Sequence, residues 1–357
     1  MKKMLFGFAI FLCLFLSGCG VNELENNAFP LAIGVEAGQD GTFQVYMAYP
    51  DLQDSNALEN ALSSDVNWQD NVPNLFVGAD KMSENSSKNV DFNHLKVLVL
   101  DKSVLESEES REQVIAFFQE KRDAAWNTYV LLCDGSLGSI FSEELTIQSS
   151  LGIYLEDLIE EWTNVRSDAH TTVGDLMSQY YNRNETELIP VVSVEAQKPV
   201  IRSFEAVKNL NCMAELTQDD AYEIMLLQDQ LKSFSFSLED GTRTTLHLIH
   251  TGRSITRAEN ENPLINITVR GTAKIENRLA LSEDEQVKIC EQAERELESR
   301  LIRLAEELKN RQKFEPANSF LLLAGYNRNL WKEYHSDQEA YEEALQYHIQ
   351  VRLTKSS

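Results

Sequence analysis

The chain has 357 residues, room for two or three domains with cores of their own, and its 57 acidic against 32 basic side chains leave a net charge of −25. Such an excess of negative charge opposes binding of the polypeptide to nucleic acid or to an anionic lipid surface. Of five cysteines, Cys133, Cys212 and Cys290 lie about 80 residues apart, which fits neither a disulfide framework nor a Cys-x-x-Cys zinc or redox motif. They are expected to be unpaired, mostly buried thiols.

Met1-Lys2-Lys3 is a short basic start, and Met4 to Leu16 (MLFGFAIFLCLFL) is thirteen residues without a charge. That length suits the apolar region of a signal peptide and falls short of the roughly 18 residues of a helical membrane span. Leu16-Ser17-Gly18-Cys19 then has the Leu-small-small-Cys form of a bacterial lipobox. Cys19 is accordingly expected to take a diacylglycerol on its thiol, to become the new N-terminus and to hold the chain to a membrane through acyl chains such as palmitate. Each buried methylene contributes about 0.8 kcal/mol, so two chains suffice where one is marginal. Loss of Lys2 and Lys3 would take the charge from −25 to −27. Residues 1–18 therefore read as a lipoprotein signal peptide and residues 19–28 as a polar, lipidated tether.

Residues 29–198 read as an N-terminal α/β region. Leu31 to Val35 and Thr42 to Tyr49 flank Gly38-Gln39-Asp40-Gly41 as the arms of a hairpin. Ser55 to Ser64 is expected to be helical, and Ser83 to Asn89 (SENSSKN) a loop by composition. Leu95 to Leu100, Glu108 to Arg122 and Tyr129 to Cys133 predict a βαβ unit with parallel strands. Its helix would be capped by Ser103 to Glu106 or the acids that follow, and would bury Val114, Ile115, Phe117 and Phe118. Helices are expected over Ile153–Glu161 and Thr172–Tyr181, and Pro190 and Pro199 are taken to bracket a break between domains.

Residues 199–357 change pattern. Thr217 to Asp220 starts a helix through Leu231. Phe234, Phe236 and Leu238 alternate into a turn at Glu239-Asp240-Gly241, and Thr244 to Ile249 returns as the second arm of a hairpin. Ile265, Ile267 and Val269 mark a third strand. Ser282 to Glu285 is a capping box, followed by a stripe of Val287, Cys290, Ala293, Leu297, Leu301, Leu304 and Leu308. Leu345 to Leu353 alternates as a half-buried strand. The fold class expected is thus multi-domain α/β, α+β in the second half: a mixed N-terminal sheet with a βαβ unit, then an antiparallel sheet packed with one long helix.

Chemistry is sparse. His247 and His250 lie on an expected strand, where a spacing of three sends their rings to opposite faces, so no metal site is expected. Asp134 to Gly138 follows a strand but lacks the third glycine and the lysine of a phosphate loop. Glu106 to Glu109 and Glu283 to Glu285 sit where acids favour a helix N-terminus. Trp331 reads as core. No serine, cysteine or histidine stands in a nucleophile motif, and no converging polar cluster emerges, so neither an enzyme nor a cofactor is expected.

The order of these features resembles the spore germination receptor C-subunit family, the Ger(x)C lipoproteins. The resemblance runs through the lipobox with Glu23-Leu24, the Leu31 to Val35 strand, His94 to Glu106 (HLKVLVLDKSVLE), Leu151 to Leu155 (LGIYL), the long helix, the Trp331 segment and the final alternating strand. Gly20-Val21-Asn22, Glu36 and Ala324-Gly325 depart from the family pattern and mark a divergent member. The resemblance implies a non-enzymatic, lipid-anchored subunit of a nutrient receptor on the outer face of the spore inner membrane, beside membrane-spanning A and B subunits. The opposing class is an extracytoplasmic solute-binding lipoprotein of a transporter, which would need two similar α/β lobes. A lipid-anchored cell-wall hydrolase would need a catalytic constellation.

Overall fold

The structure, a computed structural model, describes residues 26–50, 65–121, 124, 126–164, 170–182, 186–278 and 281–355. The signal region and the expected helix at 55–64 lie outside these. The chain enters through β1 (Asn27–Ala28) and runs through β2 (Ala32–Ala37), β3 (Phe43–Pro50), β4 (Asp65–Val72), α1 (Leu75–Ser86) and β5 (Asn89–Val90). The βαβ unit follows as β6 (Val97–Asp101), α2 (Lys102–Glu106), α3 (Glu108–Glu120) and β7 (Tyr129–Cys133). Then come α4 (Leu137–Ile140), α5 (Leu151–Asn164), α6 (Val173–Asn182), β8 (Thr186–Glu195), β9 (Lys198–Lys208) and β10 (Asn211–Leu216). Eight strands form one sheet in the order β10-β9-β8-β7-β6-β2-β3-β4. Its middle, β2, β6, β7 and β8, is parallel, and an antiparallel pair flanks each side.

The expected hairpin is β2–β3, with Val35 opposite Val45 and a turn that needs positive φ at Asp40 (59°) and Gly41 (74°). In the βαβ unit the caps are Asp101, which accepts from the Ser103 N–H, and Ser107, which accepts from the Ser110 N–H. These replace the caps expected within Ser103 to Glu106, while Glu108 and Glu109 supply the acids of the first turn. Val114, Ile115, Phe117 and Phe118 are buried as expected.

Three local expectations give way. Ser83 to Ser86 belong to α1, because Leu75, Ala79 and Met82 place an apolar stripe on the core ahead of the serines. Ala28 is no tether residue: it is buried, and β1 pairs in parallel with β5. Pro190 and Pro199 bracket no break but lie in adjacent antiparallel strands joined by Ala196 and Gln197, both at positive φ. Pro190 has no N–H to give, and beside it the β7–β8 ladder is confined to the pairs Leu132–Val191 and Cys133–Val192.

The second half consists of α7 (Gln218–Leu227), β11 (Ser233–Ser237), β12 (Arg243–Arg257), β13 (Pro263–Ile275), α8 (Glu283–Glu307), α9 (Ser319–Tyr326), α10 (Arg328–Tyr334), α11 (Gln338–Ala344) and β14 (Gln346–Lys355). The sheet order is β11-β12-β13-β14; the first three strands are antiparallel and β14 adds in parallel. Capping boxes start both α7 (Thr217, Asp220) and α8 (Ser282, Glu285). The α8 stripe faces its sheet from Ile289 to Leu308, whereas Val287 falls one turn too early and is 45% exposed. Two acids on the same helix, Glu298 and Glu294, accept hydrogen bonds from the Val351 and Leu353 N–H groups of the edge strand at 3.1 and 2.6 Å.

One apolar cluster runs from Val99, Leu131 and Phe204 of the first sheet through Ile224 of α7 to Leu246, Ile267 and Leu297. A second covers the opposite face of the first sheet, where Leu98, Leu100, Phe117, Phe118 and Met177 meet. Gly152 lets α5 approach this sheet: a Cβ there would lie 2.5 Å from the Leu31 carbonyl carbon and oxygen. Gly152→Ala is therefore expected to cost about 2 kcal/mol or more and to lower the melting temperature by several degrees. Gly325→Ala, with nothing within 4 Å, should leave stability unchanged or raise it by up to about 1 kcal/mol. Thermal unfolding of the two variants checks the pair.

Candidate functional site

Leu16, Ser17, Gly18 and Cys19 lie outside the described residues. Among the described residues no helix is long and apolar enough to cross a membrane, and no group of three His, Cys, Asp or Glu is disposed to hold a metal ion. His247 and His250 do not face opposite ways. A bulge between them leaves His247 opposite Thr272 and His250 opposite Arg270, so both rings share the outer face of the sheet. Their partners differ: His247 contacts the Ser233 hydroxyl at 3.4 Å and His250 lies 3.5 Å from Asp229. Asp134 to Gly138 is the turn into α4, and Trp331 packs on Phe320 at 5.6 Å between ring centres.

Burial raises the Cys133 thiol to about 12 and Cys212 to about 11, and raises Cys290 as well. All three stay protonated at neutral pH and are unsuited to nucleophilic work.

The polar groups that matter most structurally were not anticipated, and they lie where the two sheets join. Glu315, fully buried after α8, accepts from the Ala317 N–H at 2.8 Å, the Ser319 N–H at 2.5 Å and the Tyr347 hydroxyl at 3.1 Å. Burial pushes its carboxyl above the usual range despite these donors. Next to it Asn318, at φ 49°, accepts from the Thr186 N–H and donates to the Thr186 carbonyl, extending β8 by one side chain. Lys208 at the end of β9 pairs with Glu342 of α11 at 2.6 Å, and Gln228 donates to the Pro316 carbonyl. The faint signal in the sequence is an acid between Phe314 and Pro316 directly after a long amphipathic helix.

A converging polar cluster also exists. An open cleft of about 620 Å³ lies between the first turn of α7, residues 237–239 and α8. Glu223 lines it, nearly inaccessible and 2.5 Å from Arg300, with Arg295 and Arg303 on the α8 side. Burial lifts the Glu223 carboxyl to about 7, and the Arg300 guanidinium offsets only part of that. Glu223 and Arg300 stand on separate helices, 77 positions apart in sequence (300 − 223), which no local pattern announces.

Residues 20–194 match the family described as Spore germination protein N-terminal domain, and residues 206–355 match Spore germination B3/GerAC like, C-terminal. The chain belongs to this family of spore germination proteins. As a GerAC-family chain it is 22% identical over 274 residues to Spore germination protein A3 of Bacillus subtilis (strain 168), across 76% of this chain and 72% of that protein. Its fold is similar to that in the crystal structure of the GerBC protein, with a TM-score of 0.59 and 13% identity over 91% of this chain and 97% of that one. The germinant receptor C-subunit resemblance drawn from the sequence is thereby established at the level of family and fold. The gap between the two matched segments, residues 195–205, falls within the β8–β9 hairpin, whereas the first sheet continues to Leu216.

Two measurements probe these buried acids. Glu315→Leu leaves the Ala317 and Ser319 N–H groups and the Tyr347 hydroxyl without their acceptor, at about 1–3 kcal/mol for each buried donor. A loss above about 3 kcal/mol is expected in urea unfolding. For Glu223, a folded value above the ordinary 4.5 means that the folded chain holds more protons than the unfolded one between that pH and about 7. Its contribution is present below pH 4.5 and lost as pH rises through 7. Wild type should therefore lose up to about 3 kcal/mol relative to Glu223→Gln between about pH 4.5 and 8, read from paired unfolding curves.

Proposed function

We propose that this chain is the lipid-anchored, non-enzymatic subunit of a spore germinant receptor. It is tethered through Cys19 to the outer face of the spore inner membrane, and it supports assembly or signalling of membrane-spanning A and B subunits. The observation that carries the reading is a lipobox, Leu16 to Cys19, set eight residues ahead of the first strand of a chain matched almost throughout by the germination family. The core continuous through both sheets suits a rigid scaffold. The transporter alternative calls for two similar lobes, and the sheets here differ in strand number and pairing.

In detergent partition with an intact-mass readout, wild type is expected in the detergent phase, cut before Cys19 and lipidated there, and Cys19→Ala is expected uncut and without lipid, held only by its apolar signal. Spores carrying the variant should lose nutrient-triggered germination. A Cys19→Ala chain processed to the same N-terminus and retained in detergent would refute the anchor. A thermal scan against amino acids, sugars and nucleosides tests the scaffold role. A ligand at a hundred times its dissociation constant adds about 2.7 kcal/mol, so a reproducible shift of several degrees with one nutrient would replace the scaffold by a binding subunit.

A further inference from the structure

Strands β2, β6 and β7 are parallel and in register at Ala32, Val97 and Tyr129, so their starts lie at one end of the molecule. The chain enters at that same end: β1 precedes β2 by three residues and is held against β5 by the Asp91 N–H on the Ala28 carbonyl. Helix α6 lies along this end. Its first turn is tied to the segment entering β7, with the Val173 N–H on the Thr128 carbonyl and the Gly174 N–H on the Trp126 carbonyl. Further along, Gln179 bonds the Val207 carbonyl and the Leu210 N–H at the β9–β10 turn. The last turn reaches α3, where the Tyr181 hydroxyl donates to Gln119 at 2.9 Å.

Val173, Leu176 and Met177 of α6 face the core. On the other side Gly174, Asp175 and Ser178 are half-buried and Tyr181 is exposed. In a chain with a quarter of its residues charged, this ten-residue helix has one charge, Asp175, and that carboxylate is engaged by the Thr172 N–H and hydroxyl. Trp126 and Tyr181 flank the face, about 10 Å apart along the helix. At 61% and 59% they are the most exposed Phe, Tyr or Trp residues among those described. Their backbones are fixed while their rings face solvent, and amphipathic rings beside a helix whose one charge is engaged suit the boundary between headgroups and acyl chains.

We propose that this end of the eight-stranded sheet rests on the bilayer, with α6 parallel to the membrane and Trp126 and Tyr181 at headgroup level. The proposal rests on the N-terminal anchor: the eight residue steps from Cys19 to Asn27 span at most about 29 Å, which keeps the entry end within that reach of the lipid.

The test uses the full-length chain made in a host that processes lipoproteins, reconstituted in phosphatidylcholine–phosphatidylglycerol vesicles and recovered by flotation. Nitroxide lipids labelled at the headgroup or at the chain end then report tryptophan depth. Headgroup nitroxide should quench wild type, Trp126→Phe should retain less than half of that quenching, and adding Tyr181→Trp should restore it. If wild type floats but Trp126→Phe is quenched equally, this end faces away from lipid, is left for a protein subunit, and the proposal is overturned while the anchor stands. If Cys19→Ala is cut to the same N-terminus and still floats like wild type with quenching intact, the lipid on Cys19 is refuted and the surface stands. If wild type does not float, both fall.

Discussion

Strands β6 and β7 are buried on both faces, with Val97 to Leu100 and Val130 to Cys133 almost wholly removed from solvent. A strand in that position needs an apolar layer above and below it. The helices α1, α3 and α6 supply one layer, and α4 and α5 begin the other. That second layer continues without interruption through α7 into the β11–β14 sheet. The C-terminal half is therefore held by the same burial that holds the first sheet, and not by a linker. Interfaces between domains default to mobility unless they are large and apolar, and a continuous apolar cluster crosses this one.

Apolar contact fixes adhesion but is not directional. Direction comes from the polar groups at the joint: Asn318 reading both backbone groups of Thr186, Lys208 on Glu342, and Glu315 gathering the segment after α8, α9 and β14 onto one carboxylate. Such groups raise the cost of any other register, because sliding the halves would strand buried donors.

Elements built on local pattern were legible in the sequence. The β2–β3 hairpin, the βαβ unit, the helix start at Thr217, the capping box at Ser282 and the alternation of β14 each follow from spacing within a short window. What escaped was set by distant partners. Strand β4 is too polar to alternate visibly and exists because β3 offers it a ladder. Pro190 and Pro199 read as punctuation, yet the sheet accommodates them where ladders end. His247 and His250 share a face because of a bulge whose positive φ at Leu248 no spacing rule foretells. Glu223 and Arg300, like Glu315 and Tyr347, meet only once both sheets are assembled. The outward aromatics Trp126 and Tyr181 belong to the same class, since their common end of the molecule depends on strand direction.

The carboxylates of Glu294 and Glu298 on the β14 backbone have a consequence for how such a chain tolerates crowding. An edge strand with free N–H groups is a template on which another strand can polymerise. Here two outward donors of that edge are already taken by side chains of the covering helix. An incoming strand would have to displace two charge-assisted bonds and the α8 face above them. Two copies can thus collide at the β14 edge without templating amyloid-like growth from it.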